Sequence, residues 1–205
     1  GTVEGVKAEL TDRVDGAGFM PIGYSIDTYN PDKAFSGEFD GQGYEINELY
    51  MNLANLNNMS WGGLFGYVNE GKISNLTVKG KIVTAKGTGN RCYVGGVVAY
   101  LNNSSIENCN SFMNIEQNRE YNGIVGGEPI TGGVVGYNAG NIVSSYSVGT
   151  VENGYSFGVG SGAVYSSYTA SPATKGVFGT NQKIVDSYYD LYATGHKYTA
   201  QTTSD

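Results

Sequence analysis

The sequence predicts an all-β fold, a parallel β-helix (solenoid) of about six coils with loops of variable length. Three observations predict it: a short apolar motif recurs six times, glycine and asparagine punctuate the copies, and the steps between copies are uneven. A solenoid tolerates uneven steps, because each turn covers its neighbour and extra residues leave at the corners. A propeller blade needs about 40 residues and four strands. Helical repeats need apolar residues at i, i+3, i+4 and i+7 over ten or more positions, and these stretches are short and rich in Val, Ile and Tyr.

The full copies are WGGLFGYVNEGKISNLTVKG (61–80), YVGGVVAYLNNSSIENCNSF (93–112) and TGGVVGYNAGNIVSSYSVG (131–149). Each carries a Gly-Gly pair (Gly62-Gly63, Gly95-Gly96, Gly132-Gly133), two apolar residues, a small residue and a tyrosine (Tyr67, Tyr100, Tyr137). An isoleucine then opens a second segment, at Ile73, Ile106 and Ile142. Shorter copies place Ile46, Val164 and Ile184 at that position, so successive steps are 27, 33, 36, 22 and 20 residues. Longer steps carry inserted loops, such as the one at 118–129.

Equivalent residues of stacked strands lie about 4.8 Å apart, so like should sit on like. Positions i, i+3 and i+5 from each anchor give Ile46/Leu49/Met51, Ile73/Leu76/Val78 and Ile106/Cys109/Ser111, then Ile142/Ser145/Ser147, Val164/Ser167/Thr169 and Ile184/Ser187/Tyr189. The first two sets form a dry interior. In the later, polar sets, strict alternation would instead turn Tyr146, Tyr168 and Tyr188 inward, since a one-residue shift exchanges the faces.

Composition narrows the function. The 205 residues include 32 Gly and 17 Tyr, only 15% are charged, and the net charge is −7. Nucleic acid is excluded as a partner, because phosphate binding needs clustered Lys and Arg. The longest nearly apolar run, residues 94–101, is far short of a membrane span. A chain that begins at Gly1 without a leader reads as an excised piece, which leaves its compartment open. Two cysteines, Cys92 and Cys109, make no disulfide framework. One bridge is possible, but two free thiols are expected, with Cys109 as a small core residue.

No catalytic constellation emerges. A lone histidine, His196, cannot supply an HExxH zinc site. The GVGSGA run at 158–163 lies within a strand repeat and lacks the strand-to-helix setting that dinucleotide binding needs. Carboxylate pairs to weigh are Glu38 with Asp40 and Asp186 with Asp190. The Asp40-Gly41 step reads as a turn in which Asp bonds its own backbone. No cofactor and no metal are expected. A binding surface is more plausible: Tyr146, Tyr168 and Tyr188 recur at i+4, with Tyr50 there in the first copy, and Tyr67, Tyr100 and Tyr137 make a second column. Aromatic faces can pack on sugar rings, although aligned rings also stack on one another as structural ladders. Asn69, Asn102-Asn103, Asn138 and Asn141 read as stacked turn residues.

In order along the chain, FMPIG (19–23), FSGEFDGQGYEI (35–46), the GGLFGY…ISNLTVKG units and the ending SYYDLYATG…TAQTT (187–203) resemble bacterial surface proteins with GLUG-motif repeats. The resemblance runs from about Ala8 to Ser204. It implies a right-handed parallel β-helix in a secreted or wall-attached protein, as in non-catalytic regions of IgA-cleaving metallopeptidases and in adhesin-like proteins. The copies at 155–171 and 175–190 lack the full Gly-Gly-apolar start and mark where the solenoid narrows or ends.

The expected organisation is an N-terminal cap (1–18), a GLUG-type β-helix (19–190), and a tail or link to another domain (191–205). The expected function is a non-catalytic, monomeric module of a secreted or cell-surface bacterial protein, acting as an adhesin-like surface or a stiff stalk. Loops 84–92 and 116–130 would meet a host glycan or host surface protein, and further domains of the same chain would be its other partners. A polysaccharide lyase or glycoside hydrolase is the alternative.

Overall fold

The computed structural model describes residues 18–23, 33–53, 61–83, 92–116, 129–152, 155–157, 160–161, 183–185 and 188–189. Among these there is no α-helix; the elements are β-strands, and every pairing between named strands is parallel.

Consecutive stretches of chain form tiers in register. The first tier holds β1 (Glu38–Asp40) and β2 (Glu45–Asn52), and the second holds β3 (Trp61–Gly62), β4 (Phe65–Asn69) and β5 (Lys72–Val83). The third is β6 (Cys92–Gly95) and β7 (Val98–Glu116). The fourth is β8 (Pro129–Gly132), β9 (Val135–Val143), β10 (Tyr146–Ser147) and β11 (Val151–Glu152). Against the fourth tier lie β12 (Tyr155–Phe157), β13 (Gly160–Ser161), β14 (Lys183–Val185) and β15 (Tyr188–Tyr189). Strands β3, β6, β8 and β12 make one sheet, and the remaining eleven make the other.

The Gly-Gly pairs sit where the chain passes from the smaller sheet to the larger one. A Cβ on Gly95 would lie 2.1 Å from the Val98 carbonyl oxygen and 2.5 Å from the Gly136 nitrogen, so a side chain there would force the tiers apart. Behind the bend the backbone stays paired between tiers: Phe65 N–H donates to Val97 C=O at 2.8 Å, and Val97 N–H to Val134 C=O at 2.9 Å. Buried backbone groups must find partners, and the neighbouring tier supplies them.

Phe39, Ile73, Ile106, Ile142 and Ile184 form one register column. This corrects two expected alignments. Ile46 pairs with Val78 rather than Ile73, and Phe39 takes the first anchor position. At the other end Ile184 pairs directly with Ile142, while β13 pairs with the first half of β9. The described strands of both shortened copies thus pair with the fourth tier, and among the described residues the column is five deep. Val164 lies outside the described residues.

The i, i+3, i+5 reading of the interior holds in the second to fourth tiers. Ile73, Leu76, Val78, Ile106, Cys109, Ser111, Ile142, Ser145 and Ser147 are all buried, and Tyr146 points out. Asn75, Asn108 and Ser144 explain the odd spacing. They occupy equivalent positions and share left-handed backbone, with φ of 54°, 51° and 49°. A left-handed residue breaks strict alternation and turns a corner, so the next inward side chain comes at i+3 instead of i+2. Asparagine tolerates that conformation better than most residues.

Residues 1–17 and 190–205 lie outside the described residues, and so do the expected cap and tail, apart from Gly18. Gly18 bridges Met51 in antiparallel fashion, and Phe19 N–H donates to Tyr50 C=O at 2.8 Å.

Candidate binding surface

Tyr67, Tyr100 and Tyr137 form a register column, as their repeat position implies. Tyr100 and Tyr137 stack at 4.4 Å between ring centroids, and Tyr67 meets Tyr100 edge-on at 5.2 Å. From the smaller sheet, Trp61 stacks on Tyr100 at 5.3 Å, and Tyr93 contacts Trp61, Tyr100 and Tyr137. Trp61, Tyr67 and Tyr93 are buried, while Tyr100 and Tyr137 are half-buried. These five rings are a second, aromatic core beside the aliphatic one. Burial raises the Tyr100 hydroxyl's pKa strongly, helped by its tyrosine neighbours. Sequence reasoning passed over Trp61 and Tyr93, although both stand just before a Gly-Gly pair and pair with each other in register.

The other predicted aromatic group divides. Tyr146 pairs with Asn110 on one side and Tyr188 on the other, is 38% exposed, and meets Phe112 edge-on at 5.7 Å. Lys79 lies 5.2 Å from the Phe112 ring centroid and also bonds Glu45 at 2.9 Å. Glu45, Lys79, Phe112 and Tyr146 therefore cross four tiers as one chain of contacts. Tyr50 is exposed but pairs with Lys81, outside the Tyr146 column, whose first-tier member is Glu45. Tyr168 lies outside the described residues, as does the side chain of Tyr188.

A polar ladder marks the corner. Asn108 Nδ2 donates to Asn75 Oδ1 at 3.2 Å, and Asn75 Nδ2 donates to Asp40 Oδ1 at 2.9 Å. The same carboxylate oxygen accepts Gln42 N–H at 2.9 Å, the turn bond expected of Asp40-Gly41. These bonds, that from Asn75 foremost, hold the Asp40 carboxyl below its ordinary pKa. A parallel rung joins Asn102 Nδ2 to Asn69 Oδ1 at 2.7 Å. Asn138 departs from the expected turn ladder. It directly follows Tyr137, as Leu101 follows Tyr100, so it pairs with Leu101 and is buried in the interior, and Ala139 takes the place opposite Asn102; the fourth tier is one residue shorter only beyond that point.

The reactive candidates are held as follows. Glu38 pairs with Lys72 at 3.6 Å on the exposed surface. Cys109 is a free, buried thiol that donates to the Glu107 carbonyl at 3.3 Å, and burial pushes its pKa up to about 12. The side chain of Cys92, along with Asp186, Asp190 and His196, lies outside the described residues. Within 158–163 the described pair Gly160–Ser161 is a strand against β9. Among the described residues no three of His, Cys, Asp and Glu gather as a metal site, and no helix is long and apolar enough to cross a membrane.

Beside the Glu38–Lys72 pair lies an open groove of about 460 Å³, lined by residues of the first four tiers. Four of its lining residues, Glu38, Lys72, Ser105 and Asn141, form one register column across the tiers.

The third tier is the unit that comparison with known proteins recovers. Residues 90–116 match the GLUG motif. That span takes in β6, the Gly95-Gly96 bend and all of β7. The chain is also 31% identical over 113 residues to halomucin of Haloquadratum walsbyi (strain DSM 16790 / HBSQ001), a match covering 55% of this chain and 1% of halomucin's length. No solved structure matches the chain.

Proposed function

We propose that this chain is a non-catalytic module of a secreted or cell-surface protein, a right-handed β-helix whose tiers are successive coils and whose outer face contacts glycan or protein. The observation that carries the reading is the five-deep register column from Phe39 to Ile184. Parallel stacking at this depth makes a stiff body that presents its side chains at fixed intervals. The GLUG match and the similarity to halomucin support a surface-associated module. The non-catalytic part is supported by the occupation of Asp40, whose carboxylate is engaged by Asn75 and Gln42.

Two measurements test it. Labelling intact cells with a membrane-impermeant reagent should modify the parent protein, and labelling only after lysis would contradict a surface location. Incubation with plant and host polysaccharides should leave them uncut, and shortened products would favour the polysaccharide-active alternative.

A further inference from the structure

The described tyrosine columns offer little open area, since five rings close into a core and Tyr146 packs on Phe112. The groove is different in kind. Its lining side chains are those of Glu38, Glu70, Lys72, Asn103, Asn141 and three serines, with two glycines between them. All of these side chains carry hydrogen-bonding groups, and none is aromatic or aliphatic. Glu70 and Asn103 stand at the same corner of successive tiers, with left-handed φ of 56° and 45°, and both are exposed. The volume falls within the range of small-ligand sites.

We propose that this groove binds a short, neutral oligosaccharide lying along the stack of tiers. The inference rests on the reading of the chain as a surface module and names its ligand class and contact site. Three features select this ligand. Amides, hydroxyls, carboxylates and an ammonium provide both donors and acceptors, which is what sugar hydroxyls need. The absence of aliphatic and aromatic side chains from the lining disfavours hydrophobic peptides, and two carboxylates against one lysine, in a chain of net charge −7, disfavour polyanions. Finally, tiers about 4.8 Å apart repeat at close to the length of one sugar ring in an extended chain, so consecutive tiers can address consecutive sugars.

Titration of the ¹⁵N-labelled chain with cellotetraose, mannotetraose and chitotetraose, and with tetragalacturonate as the acidic comparison, tests this by amide shift mapping. At least one neutral tetrasaccharide should shift the amides of residues 70–72 and 103–105. Asn103→Gly keeps the left-handed corner while removing the amide, and should weaken that binding about tenfold, the weight of one hydrogen-bonding side chain. Shifts with tetragalacturonate alone, shifts centred on Phe112 and Tyr146, or no shift with any neutral sugar would overturn the assignment. Chromatography of the same samples separates the two readings: a bound sugar that is also cut would sustain the groove and contradict the non-catalytic module.

Discussion

Tyr100 and Tyr137 stack on consecutive tiers with ring planes 17° apart. Trp61, the only tryptophan, lies on the other side of Tyr100 at 18° between planes. Tyr100 is thus the middle plate of a three-ring stack that joins the two sheets. Tyr100→Ala should cost about 3–4 kcal/mol and shift Trp61 emission to the red as water reaches the ring. Tyr100→Phe keeps the plate and should cost less than about 1.5 kcal/mol. Denaturant melts followed by fluorescence check both, and equal losses would contradict the stacking account.

Ser144 repeats the left-handed corner of Asn75 and Asn108 without their amide. Ser144→Asn should extend the ladder that runs through Asp40, Asn75 and Asn108, and suit the backbone better. The expected gain is about 1 kcal/mol, seen as a melting point roughly 2–4 °C higher. A lower melting point would show that the corner is not equivalent.

Ser147 is fully buried and its hydroxyl has no hydrogen-bond partner among the described residues. An unsatisfied buried hydroxyl costs about 1–3 kcal/mol. Ser147→Ala should therefore raise stability in a denaturant melt, whereas Ser145→Ala should lower it, because Ser145 Oγ accepts the Cys109 N–H and donates to the Val143 carbonyl. Losses in both variants would contradict this division of the interior.

Asp40 has a folded-state pKa below the ordinary 3.8, so its carboxylate favours folding. That contribution is present above the unfolded value and is lost as pH falls through the lower, folded value. Asp40→Asn should remove it, so the variant's melting point should fall less steeply than the parent's below about pH 4. Parallel curves would show that the ladder does not depend on the charge.

Cys109 should resist thiol reagents at pH 8 until the chain unfolds, because burial keeps the thiol protonated up to about 12. Its linkage runs the other way from that of Asp40: stability is present below the thiol's unfolded pKa and declines as pH rises toward the folded value. Mass spectrometry of labelled peptides separates Cys109 from Cys92, and rapid native labelling at Cys109 would contradict its burial.

The strand motif and the register of the second to fourth tiers are legible in the sequence because the Gly-Gly bend, the tyrosine and the isoleucine recur together. Parity becomes clear only with the structure, since nothing in the residue order says that Asn75, Asn108 and Ser144 are left-handed. The first tier misleads for a physical reason. Phe39 and Ile46 are both acceptable interior anchors, and the turn at 41–44 separates them. The last copies mislead in another way: similarity counts 155–171 and 175–190 as two units, but β12 to β15 all pair with the fourth tier. Aligned tyrosines, likewise, do not show whether their rings face water or Trp61. The groove is invisible in the sequence, because Glu38, Lys72, Ser105 and Asn141 share no residue type.

The stacking itself is best tested by nuclear Overhauser spectroscopy on protein methyl-labelled at isoleucine. Ile73, Ile106 and Ile142 are register partners in turn, on neighbouring strands about 4.8 Å apart. The account predicts cross-peaks from Ile106 to both Ile73 and Ile142, and a much weaker one directly between Ile73 and Ile142. Methyl groups of Ile106 that contact neither would contradict it.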